Sequence, residues 1–172
     1  MSLVIRSECK SDEDAIGEVT RQAFASHPYS SHTEHLIVGA LREANALTIS
    51  LVAEQSGQVV GHIAFSPVTI SDGTSGWFGL GPVSLLPSVQ KRGIGGALIE
   101  RGLSLLRERG AAGCVVLGEP PFYRRFGFAN KSGLVLSGVP QEFFLALSFG
   151  SGSPQGEVTY HAAFSVTGRG DR

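Results

Sequence analysis

The sequence predicts an α/β domain in which helices flank a mainly antiparallel sheet. Three observations carry this. Apolar residues recur at helical spacing through residues 13–44. From residue 47 to residue 86 the spacing becomes two, in three runs separated by turn-forming clusters. A long amphipathic helix then leads into a short apolar strand.

Taken in order, residues 3–6 form a short strand. Ser11, with Asp14 three residues on, gives a capping signature, and Ile16, Val19, Ala23 and Phe24 follow on one helical face. Residues 26–31 are a loop, and Thr33 is placed to cap a second helix whose Ile37, Ala40, Leu41 and Ala44 share a side. Leu47, Ile49, Leu51 and Ala53 then alternate with Thr48, Ser50 and Val52. The turn EQSGQ, the strand 59–70, the turn SDGTSG and the strand 77–86 complete an antiparallel meander. A helix over 93–109 puts Ile94, Leu98, Gly102, Leu105 and Leu106 on one side and Glu100, Ser104 and Arg107 on the other. Arg107 and Arg109 suit its negative end, and Gly110 suits a left-handed terminus. Residues 113–117 are an apolar strand, and Pro120 fits the first turn of a helix over 121–126 closed by Gly127. Residues 143–148 and 157–164 are read as two closing strands around GSGSPQG. No repeat or linker divides residues 1–165, which are expected to form a single domain, with 166–172 a flexible tail.

Composition excludes several classes. A formal net charge of −1 gives no electrostatic footprint for nucleic acid or an anionic membrane. Cys9 and Cys114 are too few for a disulfide framework and read as two reduced thiols in a cytoplasmic protein. Glu8, Lys10, Asp12, Glu13 and Asp14 stand where a signal peptide needs an apolar stretch, and no run approaches the roughly 20 residues of a membrane span.

The stretch QKRGIG, residues 90–95, poses the functional question. Glycines weaken a helix start, and Lys91 beside Arg92 adds repulsion. The first amides of a helix have no intrahelical partner and sit at the positive end of its dipole. Glycine lets an anion approach them, so Lys91, Arg92, Gly93, Gly95 and Gly96 suit a phosphate-binding helix start. The plainer alternative is a basic turn ahead of an amphipathic helix. The Walker A pattern is absent, and Leu98 stands where a dinucleotide fingerprint needs its third glycine.

Gln90-Lys91-Arg92-Gly93-Ile94-Gly95 resembles the Q/R-x-x-G-x-G/A signature of the GNAT superfamily of acetyl-CoA-dependent N-acetyltransferases. Val83-Ser84-Leu85-Leu86-Pro87 is similar to the strand that leads into it, and Tyr123-Arg124-Arg125-Phe126-Gly127-Phe128 to the family's second signature. The order of elements also fits, over about residues 3–165. The resemblance implies a mixed sheet splayed in its middle to hold acetyl-CoA. It places the pyrophosphate on Gln90, Lys91, Arg92, Gly93, Ile94, Gly95 and Gly96, and the pantetheine arm along Val83, Ser84 and Leu85. It implies acetyl transfer by direct attack of a primary amine, from a small molecule or a peptide. Tyr123 matches the general acid that protonates the departing thiolate, a role compatible with ordinary pKa values of roughly 10 for Tyr and 8.5 for a thiol. The alternatives are a packed aromatic at Tyr123 and, for the whole protein, a non-catalytic CoA-binding regulatory module.

Gly118-Glu119-Pro120-Pro121 occupies the region where many relatives carry an Asn that contacts the cofactor. The strand 77–86 holds no acid where relatives often place a Glu base. His62 could titrate near neutrality but reads first as a core histidine, and Glu119 as a turn residue. A water chain, or an amine that loses its own proton, is therefore expected to serve as base. His32-Thr33-Glu34-His35 lacks the H-E-x-x-H spacing, so no metal is expected. Arg169-Gly170-Asp171 reads as chance and Cys114 as a small apolar filler. The acceptor's identity and the oligomeric state are not legible.

Overall fold

In the computed structural model, which describes residues 2–28 and 30–166, the chain opens with β1 (Leu3–Ser7). A 3-10 turn at Lys10–Asp12 leads into α1 (Glu13–Phe24). The cap differs from the Ser11–Asp14 expectation. Asp12 reaches back to accept from the Cys9 amide at 2.8 Å while taking both terminal nitrogens of Arg6, at 2.7 and 3.0 Å. A tertiary partner, invisible in the local pattern, moved the cap two residues toward the N-terminus. Thr33 does occupy the N-cap of α2 (Glu34–Glu43), but its side chain makes no capping bond.

The meander forms as expected. β2 (Ile49–Gln55) pairs antiparallel with β1 and with β3 (Gln58–Ile70), and β3 pairs antiparallel with β4 (Trp77–Leu85). Ser56 at φ 53° and Gly57 at φ 77° form the two-residue turn between β2 and β3, the twist that a tight hairpin prefers. Next come α3 (Ile94–Glu108), β5 (Gly113–Leu117) and α4 (Pro120–Arg124). β6 (Leu134–Val135), β7 (Phe144–Ser148) and β8 (Gly156–Tyr160) complete the chain. The main sheet runs β1-β2-β3-β4-β5-β7, with β4–β5 its parallel pair and β5–β7 antiparallel.

Helices cover both faces of this sheet. Leu98, Ile99 and Leu106 of α3 bury against Leu51, Ile63 and Phe65, while Ile16 of α1 and Val38 of α2 bury against Val52 on the other side. Coverage on both faces explains why residues 49–53 are all buried despite their polar–apolar alternation. Gly102 lets α3 settle onto the sheet: a Cβ there would come 2.2 Å from Phe65 Cε1.

The C-terminal third departs most from expectation. β7 and β8 do not pair with each other. β8 instead joins the last residues of β3, Val68 to Ile70, and the unexpected β6. The strand expected over 157–164 stops at Tyr160, and Ala162–Ser165 is a 3-10 turn capped by His161 Nδ1, which accepts from the Ala163 amide at 3.0 Å. Ala163, Phe164 and Val166 pack against Ile37 and Leu41 of α2. Residues 167–172, most of the expected tail and all of Arg169-Gly170-Asp171, lie outside the described residues.

Candidate active site

β4 and β5 pair through three residues only: Trp77 with Gly113, Phe78 with Cys114 and Gly79 with Val115. Beyond them β4 continues to Leu85 and β5 to Leu117, with no pairing between them. The divergence begins next to Gly81-Pro82, joined by a cis peptide bond; Pro82 has no amide to give a neighbouring strand. The sheet is thus splayed in its middle, and a cleft of about 500 Å³ occupies the gap.

Of the QKRGIG stretch, Gln90 and Gly95 line the cleft. Pro87–Val89 is a 3-10 turn, Lys91 (φ 65°) and Gly93 (φ 85°) are left-handed, and Gly93 is the N-cap of α3. Gly95 lines the cleft, and a Cβ there would meet only Leu85 Cδ1, at 3.5 Å. Ile94 is buried in the core, and a Cβ on Gly96 would touch the Phe126 ring at 3.4 Å. Lys91 and Arg92 are exposed, while Gln90 donates to the Leu85 carbonyl at 3.3 Å and ties the loop to the strand end. Val83 and Leu85 line the cleft. Ser84, between them, faces the other way and is buried.

Tyr123 stands at the cleft mouth on α4, its ring edge-on to Phe122 (5.0 Å) and Phe128 (5.8 Å). Burial, with a smaller push from Cys114, moves its hydroxyl up to about 12. A phenol so perturbed keeps its proton at neutral pH and gives it up less readily than an ordinary tyrosine. Gly118 makes room for that ring, because a Cβ on it would come 2.4 Å from Tyr123 Cε2. Glu119 lines the cleft; His62 lies behind its wall, fully buried.

Two parts of the wall come from residues outside both motifs: Leu80, Gly81 and Pro82 at the start of the splay, and Ala23, Phe24 and His27 at the end of α1. The Gly-Pro pair inside an otherwise regular strand was the available signal for the first. Nothing local marked the second, since helix α1 reaches the cleft only through its packing on β3 and β4. A second cavity, about 590 Å³, lies at the C-terminal end of α3 and carries no part of either signature. Among the described residues, no three His, Cys, Asp or Glu side chains gather as a metal site, and no helix is long and apolar enough to cross a membrane.

The model of the acetyltransferase (GNAT) domain family matches residues 47–130. An Escherichia coli K12 protein, the uncharacterized N-acetyltransferase YhbS, is 37% identical over 127 residues, 73% of each chain. The uncharacterized N-acetyltransferase YjhQ from the same organism is 34% identical over 127 residues, 72% of this chain and 68% of its own. A crystal structure of a GNAT family acetyltransferase from Brucella melitensis, in complex with acetyl-CoA, is 52% identical with a TM-score of 0.85, covering 95% of this chain and 98% of that one. The crystal structure of YhbS from Escherichia coli with CoA gives 32% identity and a TM-score of 0.88, over 96% of this chain and 93% of that one. On the splayed sheet, the glycine-rich helix start and these relatives together, the chain belongs to the GNAT family of acetyltransferases.

Proposed function

We propose that this protein moves the acetyl group of acetyl-CoA to a primary amine by direct attack, with Tyr123 as general acid. The splay of β4 from β5 carries the reading, because it leaves the edge of β4 at Val83 and Leu85 facing a cleft whose floor is the start of α3. An extended amide-bearing arm can hydrogen-bond along such an edge as an added strand would. Backbone amides from Gln90 to Gly96, at the positive end of α3, suit the pyrophosphate, and Lys91 and Arg92 add charge. The relatives with acetyl-CoA or CoA bound support the same ligand here.

In the transfer, the amine nitrogen forms the C–N bond as the C–S bond breaks, Tyr123 gives its proton to the departing thiolate, and the amine's surplus proton passes to water, from which Tyr123 is reprotonated. Its raised pKa ensures that the proton is in place at neutral pH. The acceptor enters past Phe24 and Phe122, so an amine with an apolar body suits the mouth. The test is thiol release from acetyl-CoA across a panel of alkylamines, polyamines and peptides, beside CoA binding by calorimetry. Release that depends on an amine supports the function. Tight CoA binding without release would instead favour the regulatory module, and loss of both would remove the cleft reading.

A further inference from the structure

The start of α3 is approached from a second element. A Cβ on Gly96 would stand 3.4 Å from Phe126 Cζ and 4.0 Å from Arg125 Nη2. Helical Cβ atoms tilt toward the N-terminus, so the Arg125 guanidinium sits beside the opening turn of α3. Lys91 and Arg92 are exposed on the loop that enters the same turn. None of these three cations is in an ion pair among the described residues, and Glu100, one turn along α3 from Gly96, pairs with none of them. The first amides of a helix have no intrahelical partner, and its dipole repels cations there. The ladder of α3 begins only with the Ala97 amide, which donates to the Gly93 carbonyl at 3.1 Å. Three cations against the positive end of a helix are unfavourable unless an anion lies among them.

Arg125 is held in this place by its own segment. Its Cζ lies 5.2 Å from the centroid of the Phe122 ring and 5.5 Å from that of Phe126, and the two rings meet at 5.4 Å and 66°. The backbone behind it is fixed as well. The Arg125 amide donates to the Phe122 carbonyl at 3.4 Å, and the Phe126 amide to the Tyr123 carbonyl at 3.0 Å. A guanidinium laid over aromatic rings uses its faces and keeps five N–H donors around its edge. None of those donors bonds to another described residue. Phosphate oxygens take such donors two at a time. Packing alone does not ask for a charge at this spot, since an apolar side chain would cover the same rings without being repelled by α3.

Resting on the acetyl-CoA reading above, we propose that Arg125 binds the pyrophosphate of the cofactor from α4, as the third cation of the anion site. The pyrophosphate is the partner, rather than the 3′-phosphate, because Arg125 stands at Gly96, the last residue of the stretch that suits the pyrophosphate. Tyr123 lies two residues earlier and lines the cleft. One short segment thus carries both the general acid and a hold on the cofactor whose thiolate that acid serves.

Arg125→Gln keeps a polar stem beside the rings and removes the charge, while Arg125→Lys keeps the charge and loses the fork. By calorimetry at low salt, the Kd for CoA should rise about 10–100-fold in Arg125→Gln and by less in Arg125→Lys. 3′-Dephospho-CoA, which keeps the pyrophosphate, should show the same losses. The gap between wild type and Arg125→Gln should narrow at high salt, where charges are screened. A gap of the same size at both salt concentrations would make Arg125 a packing residue and overturn the proposal, as would equal CoA affinity in the two proteins. A loss seen with CoA but absent with 3′-dephospho-CoA would move Arg125 to the 3′-phosphate and overturn the assignment to the pyrophosphate. Wild-type protein that binds neither compound would refute the acetyl-CoA reading itself, and the role of Arg125 with it.

Discussion

Replacing Gly118 by Ala would displace Tyr123 without touching the cofactor floor. The new Cβ would stand 2.4 Å from Tyr123 Cε2, 3.0 Å from Cδ2 and 3.4 Å from Cζ. Carbon atoms rest about 3.5–4.0 Å apart, so the ring must retreat by about 1 Å. Phe122 and Phe128 stand edge-on to the same ring, so the retreat costs about 1–3 kcal/mol of overpacking. The Gly118 amide keeps its bond to the Phe143 carbonyl, and Ala is tolerated by the backbone, so the fold persists. A misplacement near 1 Å in a reacting group can cost about 10²-fold, and kcat should fall about 10–100-fold with CoA affinity within a few-fold of wild type. The assay is steady-state thiol release in wild type, Gly118→Ala, Tyr123→Phe and the double variant. If Gly118 acts through the Tyr123 hydroxyl, the double variant is no slower than Tyr123→Phe alone. Additive losses, or a wild-type kcat in Gly118→Ala, would refute the reasoning.

Gly95→Glu puts a carboxylate where the phosphate should meet the α3 amides; because its Cβ meets only Leu85 Cδ1 at 3.5 Å, the protein should fold and lose CoA binding, and unchanged affinity by calorimetry would remove the phosphate site. Tyr123→Phe should lower kcat about 10²-fold with little change in KM. With the hydroxyl at about 12, the wild-type rate should show no alkaline fall from Tyr123 until pH approaches that value, and a fall nearer neutrality that vanishes in the Phe variant would contradict this. Asp12→Ala strips Arg6 and the Cys9 amide of their shared partner and should cost about 1–3 kcal/mol in urea unfolding. The Arg6 bonds, opposed by burial, hold the Asp12 carboxyl well below the usual carboxylate range. A depressed folded-state pKa contributes stability that is complete above about pH 4 and lost as acid protonates the folded state, so the variant's stability should fall less steeply below pH 4. Parallel acid limbs in the two proteins would show the pair to be inert.

The meander, the signature helix and β5 were legible because each is announced locally, by alternation, by Ser56-Gly57 at a tight turn and by an apolar face over residues 94–106. That Gln90, Gly95 and Tyr123 come together at one cleft follows the positions of their motifs. What the sequence hid was long-range. The partner of β8 is the far end of β3, more than eighty residues earlier, and no periodicity encodes a partner. The Asp12 cap depends on Arg6, and the wall contributed by Phe24 depends on how α1 lies across β3 and β4. His62 is a core histidine with one ring nitrogen bonded to Ser50 and the other without a partner, a distinction that belongs to strand register rather than to composition.

The turn at Ala162–Ser165 has a consequence for how the protein is made. Ile37 and Leu41 are synthesised more than 120 residues before their cover, Ala163 and Phe164. The end of β3 likewise waits for β8. While the chain is growing, part of an apolar helix stripe and an open strand end are therefore both exposed. Closure of such distant contacts is slow and leaves the nascent chain open to wrong pairing. The end of β3 and the cover of α2 are therefore completed only when residues 156–166 are present, and a chain ending before residue 156 would lack β8 and remain unfinished on both counts.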